Sequence, residues 1–318
     1  MLKKLNIAHI IVIVALPIVL ALINPNWLFN LSFSHDFIIM VDDYIYTGYQ
    51  MAFPQYVGWF PSDTLYFIER LSVILPVYLL NQVTTPLIAH VIVHMTLYYV
   101  AIFAMYGILN KLASARVALI ITLLFGQYPL IMRSLGWNYP DGFAMTYFLL
   151  ALLWLTYAIE SRWRPIYLIG AGGAVMAMVI AHFFNLFYIP AIALYLIFLD
   201  KLYQKPPRLL TSGIFALIGA GALYGGLALI YHSYTGKILL SNVLNTTSGF
   251  AQGLPYFLSY HFNGVPAYWH VFLGIVALIA VVSIFRNART FSLDVRRMMI
   301  ATLILFVSSY VVLAGWSI

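Results

Sequence analysis

The sequence predicts an all-α polytopic membrane protein with about nine transmembrane helices and a cytoplasmic amino terminus. Three observations predict it. Hydrophobic residues make up 64% of the chain and charged residues only 8%, with a mean hydropathy of +0.95. Apolar runs recur at lengths near the ~20 residues that a helix needs to cross hydrocarbon. The basic residues gather between alternate runs, as the preference of lysine and arginine for the cytoplasmic side requires.

The first span is read from Leu5 to Ile23, flanked by Lys3-Lys4 and followed by Asn24-Pro25-Asn26. It lacks a small-residue cleavage site and reads as an uncleaved anchor. Further spans are read at Pro86 to Leu109, Val117 to Met132, Phe143 to Ile159, Ile166 to Ala181, Leu186 to Leu199, Leu210 to Tyr231, Tyr268 to Phe285 and Met298 to Trp316. With the amino terminus inside, thirteen of the sixteen basic residues fall on the cytoplasmic side, among them Lys111, Arg116, Arg162, Arg164, Lys201, Lys205 and Arg208. Six of the nine acids then lie outside: Asp36, Asp42, Asp43, Asp63, Glu69 and Asp141.

The segment Thr64 to Gln82 is apolar but carries Glu69 and Arg70 and is interrupted by Pro76. A span here would reverse the charge bias of every later loop, so it reads as an interfacial or re-entrant helix with its apolar face among the headgroups. The first outer loop is then 24–85, and a second long one, 233–267, is rich in Asn, Ser, Thr, Gly and aromatics. Residues 1–318 are expected to form a single transmembrane domain without a separate soluble domain. No internal repeat is present, which argues against the inverted-repeat plan of many transporters.

The chain contains no cysteine, which excludes disulfides, thiolate metal sites and cysteine nucleophiles. Its +7 net charge is scattered in twos and threes between apolar runs, so loop bias explains it and nucleic acid is not an expected partner. Charge is expensive near lipid, and the acids and bases that remain are expected to face water or a cavity. At the outer face these are Asp42, Asp43, Arg70, Arg133, Asn138, Asp141, His182, Asn185, Lys237 and His261. Carboxylates with cations can deprotonate an acceptor hydroxyl and stabilise a phosphate leaving group. They can equally cap helices or keep loops in water. Asp42 and Asp43 suit the cap of a helix beginning near Tyr44, and Asp141, after Pro140, suits another. His90 and His94 stand at i, i+4 without an evident third ligand, so no metal site is assigned and helix packing is the expected role. Gly170, Gly172, Gly173, Gly219, Gly221, Gly225 and Gly226 are expected to permit close helix contact.

The acidic pair with its aromatics, Asp42-Asp43-Tyr44-Ile45-Tyr46, and the later Trp137-Asn138-Tyr139-Pro140-Asp141-Gly142 resemble motifs of the C-type fold (GT-C) glycosyltransferases. The resemblance is nearest to the branch of protein O-mannosyltransferases and lipid A aminoarabinose transferases, and it covers roughly the first 200 residues. Asp43 stands where the family has Glu, and His182 where it often has lysine. The resemblance implies a transferase of the cell envelope, multi-pass in the plasma (inner) membrane, that moves a sugar from a polyprenyl-phosphate donor to a lipid, glycan or protein acceptor at the outer face. It implies Asp42 as base, with Asp43 beside it as the second catalytic carboxylate, and Arg70, Arg133, His182 or Lys237 against the departing phosphate. Asp43 and Asp141 would orient acceptor or sugar, Asn138 would belong to the same site, and Tyr46 could stack on the ring. A divalent metal bridging acids and phosphate stays open. The alternatives are a non-catalytic subunit that binds a lipid-linked sugar, or a degenerate relative, and a small-solute transporter. A transporter would place its ionisable groups at mid-membrane, whereas here nearly all lie at span ends.

Overall fold

The computed structural model describes residues 7–23, 37–59, 67–136, 138–203 and 208–241, and every regular element among them is helical. In order these are α1 (Ile7–Ile23), α2 (Phe37–Trp59), α3 (Leu71–Asn81), α4 (Pro86–Leu112), α5 (Ala115–Gly126), α6 (Pro129–Gly136), α7 (Pro140–Ala158), α8 (Arg164–Ala181), a 3-10 segment (Phe183–Tyr188), α9 (Ile189–Leu202) and α10 (Leu209–Thr235). Four of them, α4, α7, α8 and α10, are long and apolar enough to cross a membrane.

The helix starts follow local chemistry. Thr85 caps α4 by accepting a hydrogen bond from the Ile88 amide, and Pro86 follows at the position where a missing N–H costs nothing. Ser114 caps α5 through the Val117 amide in the same way. Pro140 opens α7 and Pro165 lies in the first turn of α8. α10 ends at Gly236, whose φ of 68° is a left-handed cap open to glycine without strain.

α7 packs between α4 and α8, and α10 packs on α8. The last contact is backbone to backbone. A Cβ on Gly172 would lie 1.8 Å from the Ala216 carbonyl oxygen, and one on Gly219 would lie 1.8 Å from that of Ile169. Gly221, Gly225 and Gly226 face open space among the described residues, so the expected glycine contact holds for the first two and not for these three. The larger apolar core joins α4, α7 and α8 through residues such as Leu97, Ala101, Leu152 and Met178. A second core gathers Tyr46, Tyr49 and Phe53 of α2, Leu71 and Ile74 of α3, Ile180 of α8 and Tyr231 of α10.

Three features differ from the sequence reading. Within 24–85 the described residues hold two helices, α2 and α3, where the reading expected one. The amino-terminal half of α3, read as interfacial or re-entrant, is buried all round, with Leu71, Ser72, Val73, Ile74 and Leu75 buried in succession, while Leu79 near its end is exposed. Its sequence has no polar face with which to sit at an interface, and Ser72 is satisfied by donating to the Ala177 carbonyl at 2.8 Å and accepting at its own carbonyl from Tyr147. The span read at Val117 to Met132 is broken into α5 and α6. Pro129 is the cause, since it disfavours helical geometry at Tyr128 and brings no N–H of its own.

The two last spans, Tyr268 to Phe285 and Met298 to Trp316, and most of the second outer loop lie outside the described residues. α10 runs on to Thr235, two residues past the expected start of that loop.

Candidate functional site at one end of the bundle

Glu69 and Arg70 precede α3 and are among the most buried charged residues described, 1% and 9% exposed. Buried charges persist when they are partnered. The Tyr231 hydroxyl of α10 donates to Glu69. Arg70 donates to the Tyr46 hydroxyl of α2, and its guanidinium lies 5.5 Å from the Tyr46 ring centroid and 5.6 Å from that of Phe67.

The same guanidinium acts electrostatically on two further groups, Asp141 and His182. Asp141 lies in the first turn of α7, where unpaired N–H groups favour an anion. It is not the cap, because Tyr139 holds that position without a side-chain bond. His182 ends α8 in extended geometry and is half-buried. Burial, and after it the Arg70 charge, hold its pKa down to about 3, so the imidazole is neutral at physiological pH. Tyr188, in the following 3-10 segment, lies within electrostatic reach of Asp141.

Asn138 ties this group to α2. Its carbonyl accepts from Gln50 Nε2 at 2.8 Å, while its amide donates to Gln50 Oε1 at 2.9 Å and to Thr47 at 3.0 Å. Tyr46 meets Tyr139 edge-on, with ring centroids 6.1 Å apart.

Five of the residues expected to share a site are thus brought to one region: Tyr46, Arg70, Asn138, Asp141 and His182. Asp42 and Asp43 lie within α2 and not at its start, since the helix begins at Phe37, so they are not its caps. Helical spacing puts Asp42 one turn before Tyr46 and Asp43 one turn before Thr47. Their side chains, and that of Arg133 on α6, lie outside what is described. Lys237 stands apart in the turn after α10. Its backbone N–H bonds Thr235 and its carbonyl accepts from His232, while its ammonium has no hydrogen bond or ion pair among the described residues.

Glu69, Tyr231, Gln50 and Thr47 were not expected here. The signal for Glu69 was legible: an acid beside a base inside an apolar run must be partnered if it is buried. His90 and His94 pack with their rings tilted at 42° and centroids 4.1 Å apart, and His94 Nδ1 donates to the Leu135 carbonyl at 2.6 Å, a packing role. Among the described residues no group of three His, Asp or Glu side chains is disposed to hold a metal.

Chemically, the region combines a fixed guanidinium, a neutral imidazole, a carboxylate at a helix amino terminus and several tyrosines. That set suits an anionic or polyhydroxyl ligand. Comparison of the chain with family models, curated proteins and solved structures finds no match.

Proposed function

We propose that the chain is a membrane glycosyltransferase of the C-type fold, taking a sugar from a polyprenyl-phosphate donor at the outer face of the membrane. The observation that carries this reading is the buried Arg70, which donates to Tyr46 and acts electrostatically on Asp141 and His182, residues of three other elements at one end of the bundle. The acidic-pair motif that resembles the family supports it, since helical spacing puts that pair one turn from Tyr46 and Thr47.

In this reading the acceptor oxygen forms a bond to the anomeric carbon as the bond from that carbon to the phosphate oxygen breaks, with inversion. The acceptor proton passes to Asp42, and the bond electrons leave with the lipid phosphate. Arg70 matches that phosphate with its fork of donors. His182, being neutral, contributes a hydrogen bond and not a charge. Asp141, held by the α7 amino terminus, accepts from sugar or acceptor hydroxyls. Tyr139 offers a ring to the sugar, whereas Tyr46, expected to stack there, is fully buried against Arg70 and instead anchors that cation. The sugar, acceptor and polyprenol are left unassigned.

The test is transfer of label from a polyprenyl-phosphate sugar pool in membranes that carry wild type, Asp42→Asn or Asp141→Asn at equal expression. The reading expects transfer in wild type, its loss in Asp42→Asn and a reduction in Asp141→Asn. Equal label in all three would assign the acids to structure and favour a binding subunit.

A further inference from the structure

At the other end of the bundle a cavity of about 480 Å³ opens between the end of α7 and the starts of α8 and α10. Its lining includes Arg162, Arg164, Arg208 and Thr211, with Leu168 and Phe215 on the apolar side. α8 has 18 residues, which at 1.5 Å each puts this end ~27 Å from His182. That is close to the ~30 Å of a bilayer core. α4 ends here as well, because its Lys111 pairs with Glu160 after α7. All four span-length helices therefore terminate at the level of this cavity.

The charges within it are unequally answered. Arg164 pairs with the fully buried Asp200 at 3.3 Å and donates to Ser212 at 2.9 Å, so it is fixed in place. Glu160 is taken by Lys111. The guanidinium groups of Arg162 and Arg208 are left without a carboxylate partner among the described residues, while the Arg208 backbone N–H donates to Asp200 Oδ2 at 3.5 Å, and the Thr211 hydroxyl has no hydrogen bond there. Arg162 lies over the ring of Trp163 at 5.3 Å, which holds its plane. α10 begins at Arg208 with no cap from that side chain; Asp200 takes the Arg208 N–H, and among the described residues the following N–H groups of Leu209, Leu210 and Thr211 remain for an anion at the same spot. Next in sequence to the lining residues, Trp163, Ile166, Leu209 and Leu210 form an exposed apolar margin.

We infer that this cavity binds a phosphate-bearing anion, held by Arg162, Arg208, Thr211 and the α10 amino terminus at the membrane boundary opposite the candidate site. The chemistry is that of a phosphate diester or monoester. The apolar margin beside the guanidinium pair fits the headgroup and upper acyl chain of an anionic lipid, since a soluble phosphate needs no such margin. Arg164, locked to Asp200, positions the pocket wall. The inference does not rest on the reading of the opposite end.

The experiment takes the full chain in detergent and measures retention of dioleoyl phosphatidylglycerol, dioleoyl phosphatidylcholine and glycerol phosphate by native mass spectrometry and by thermal shift. It compares wild type, Arg162→Gln/Arg208→Gln, Arg162→Lys/Arg208→Lys and the exposed control Arg116→Gln. Wild type and control should retain phosphatidylglycerol over phosphatidylcholine. The double glutamine variant should bind it at least about tenfold more weakly, the loss expected of charge-assisted phosphate contacts. The lysine pair should recover part of the affinity, which separates lost charge from lost fold. Protection by glycerol phosphate as strong as by the lipid would keep the phosphate site and make its source soluble. Equal retention of both lipids by wild type, or undiminished phosphatidylglycerol binding by the double glutamine variant, would overturn the inference.

Discussion

Arg70, just before α3, donates to the hydroxyl of Tyr46 on α2, and that bond helps anchor the cation whose charge stabilises an ionised Asp141 and adds to burial in keeping His182 neutral. Removing either partner has different consequences. Arg70→Ala leaves the carboxylates of this region without their cation and should cost about 3 kcal/mol, as for a buried charge stripped of its partner. Tyr46→Phe removes one acceptor and should cost about 1 kcal/mol. Apparent Tm in detergent should rank wild type above Tyr46→Phe above Arg70→Ala.

The reciprocal pair formed by Gln50 and Asn138 should behave as a unit. Each single change to Ala strands the other amide, so the double variant should be less damaging than the sum of the singles. A double-mutant cycle should give a coupling on the order of 1 kcal/mol. Strict additivity would show the pair to be incidental.

Gly172 and Gly219 admit no side chain without moving a neighbouring backbone, whereas Gly221 does. Gly219→Ala should destabilise by about 2 kcal/mol through overpacking, and Gly221→Ala should be neutral or slightly stabilising. Thermal unfolding of the two variants side by side checks the α8–α10 contact.

His182 gives a pH signature. Its folded pKa is held to about 3 against an ordinary 6.5, so the unfolded state binds more protons between those values. Stability is full above pH 6.5 and falls as pH drops through the window, by at most about 1.4 kcal/mol per unit from this group. Detergent-solubilised His182→Gln should lose less stability than wild type between pH 7 and 5. A parallel fall in both would remove His182 as the source.

The long spans were legible because their signals are redundant: Thr85-Pro86 marks the start of α4, and an unbroken apolar run carries it to Lys111. Pro129 announced the break between α5 and α6, but the apolar residues on either side hid it. α2 was harder to see, since Asp42, Asp43, Gly48 and Pro54 look like loop chemistry and only tertiary burial of Tyr46, Tyr49 and Phe53 makes that stretch a helix. At the site, Arg70, Asp141 and His182 were indicated by the family resemblance, which expects an acid at the start of one span and cations in the outer helix and at a span end. Lys237 came only from the side of the membrane it was assigned to, which does not imply proximity. The Gln50–Asn138 pair left no trace in the sequence, because two neutral amides look like any other polar residues until a fold opposes them.

The most direct test of the transferase reading measures donor binding and sugar transfer together for wild type, Asp42→Asn and Arg70→Lys in the same membranes, with folding checked by detergent Tm. The reading predicts that Asp42→Asn binds the polyprenyl-phosphate sugar as wild type does but fails to transfer it, while Arg70→Lys binds it at least about tenfold more weakly. Transfer by Asp42→Asn at the wild-type rate, or donor binding indifferent to Arg70→Lys, would contradict it.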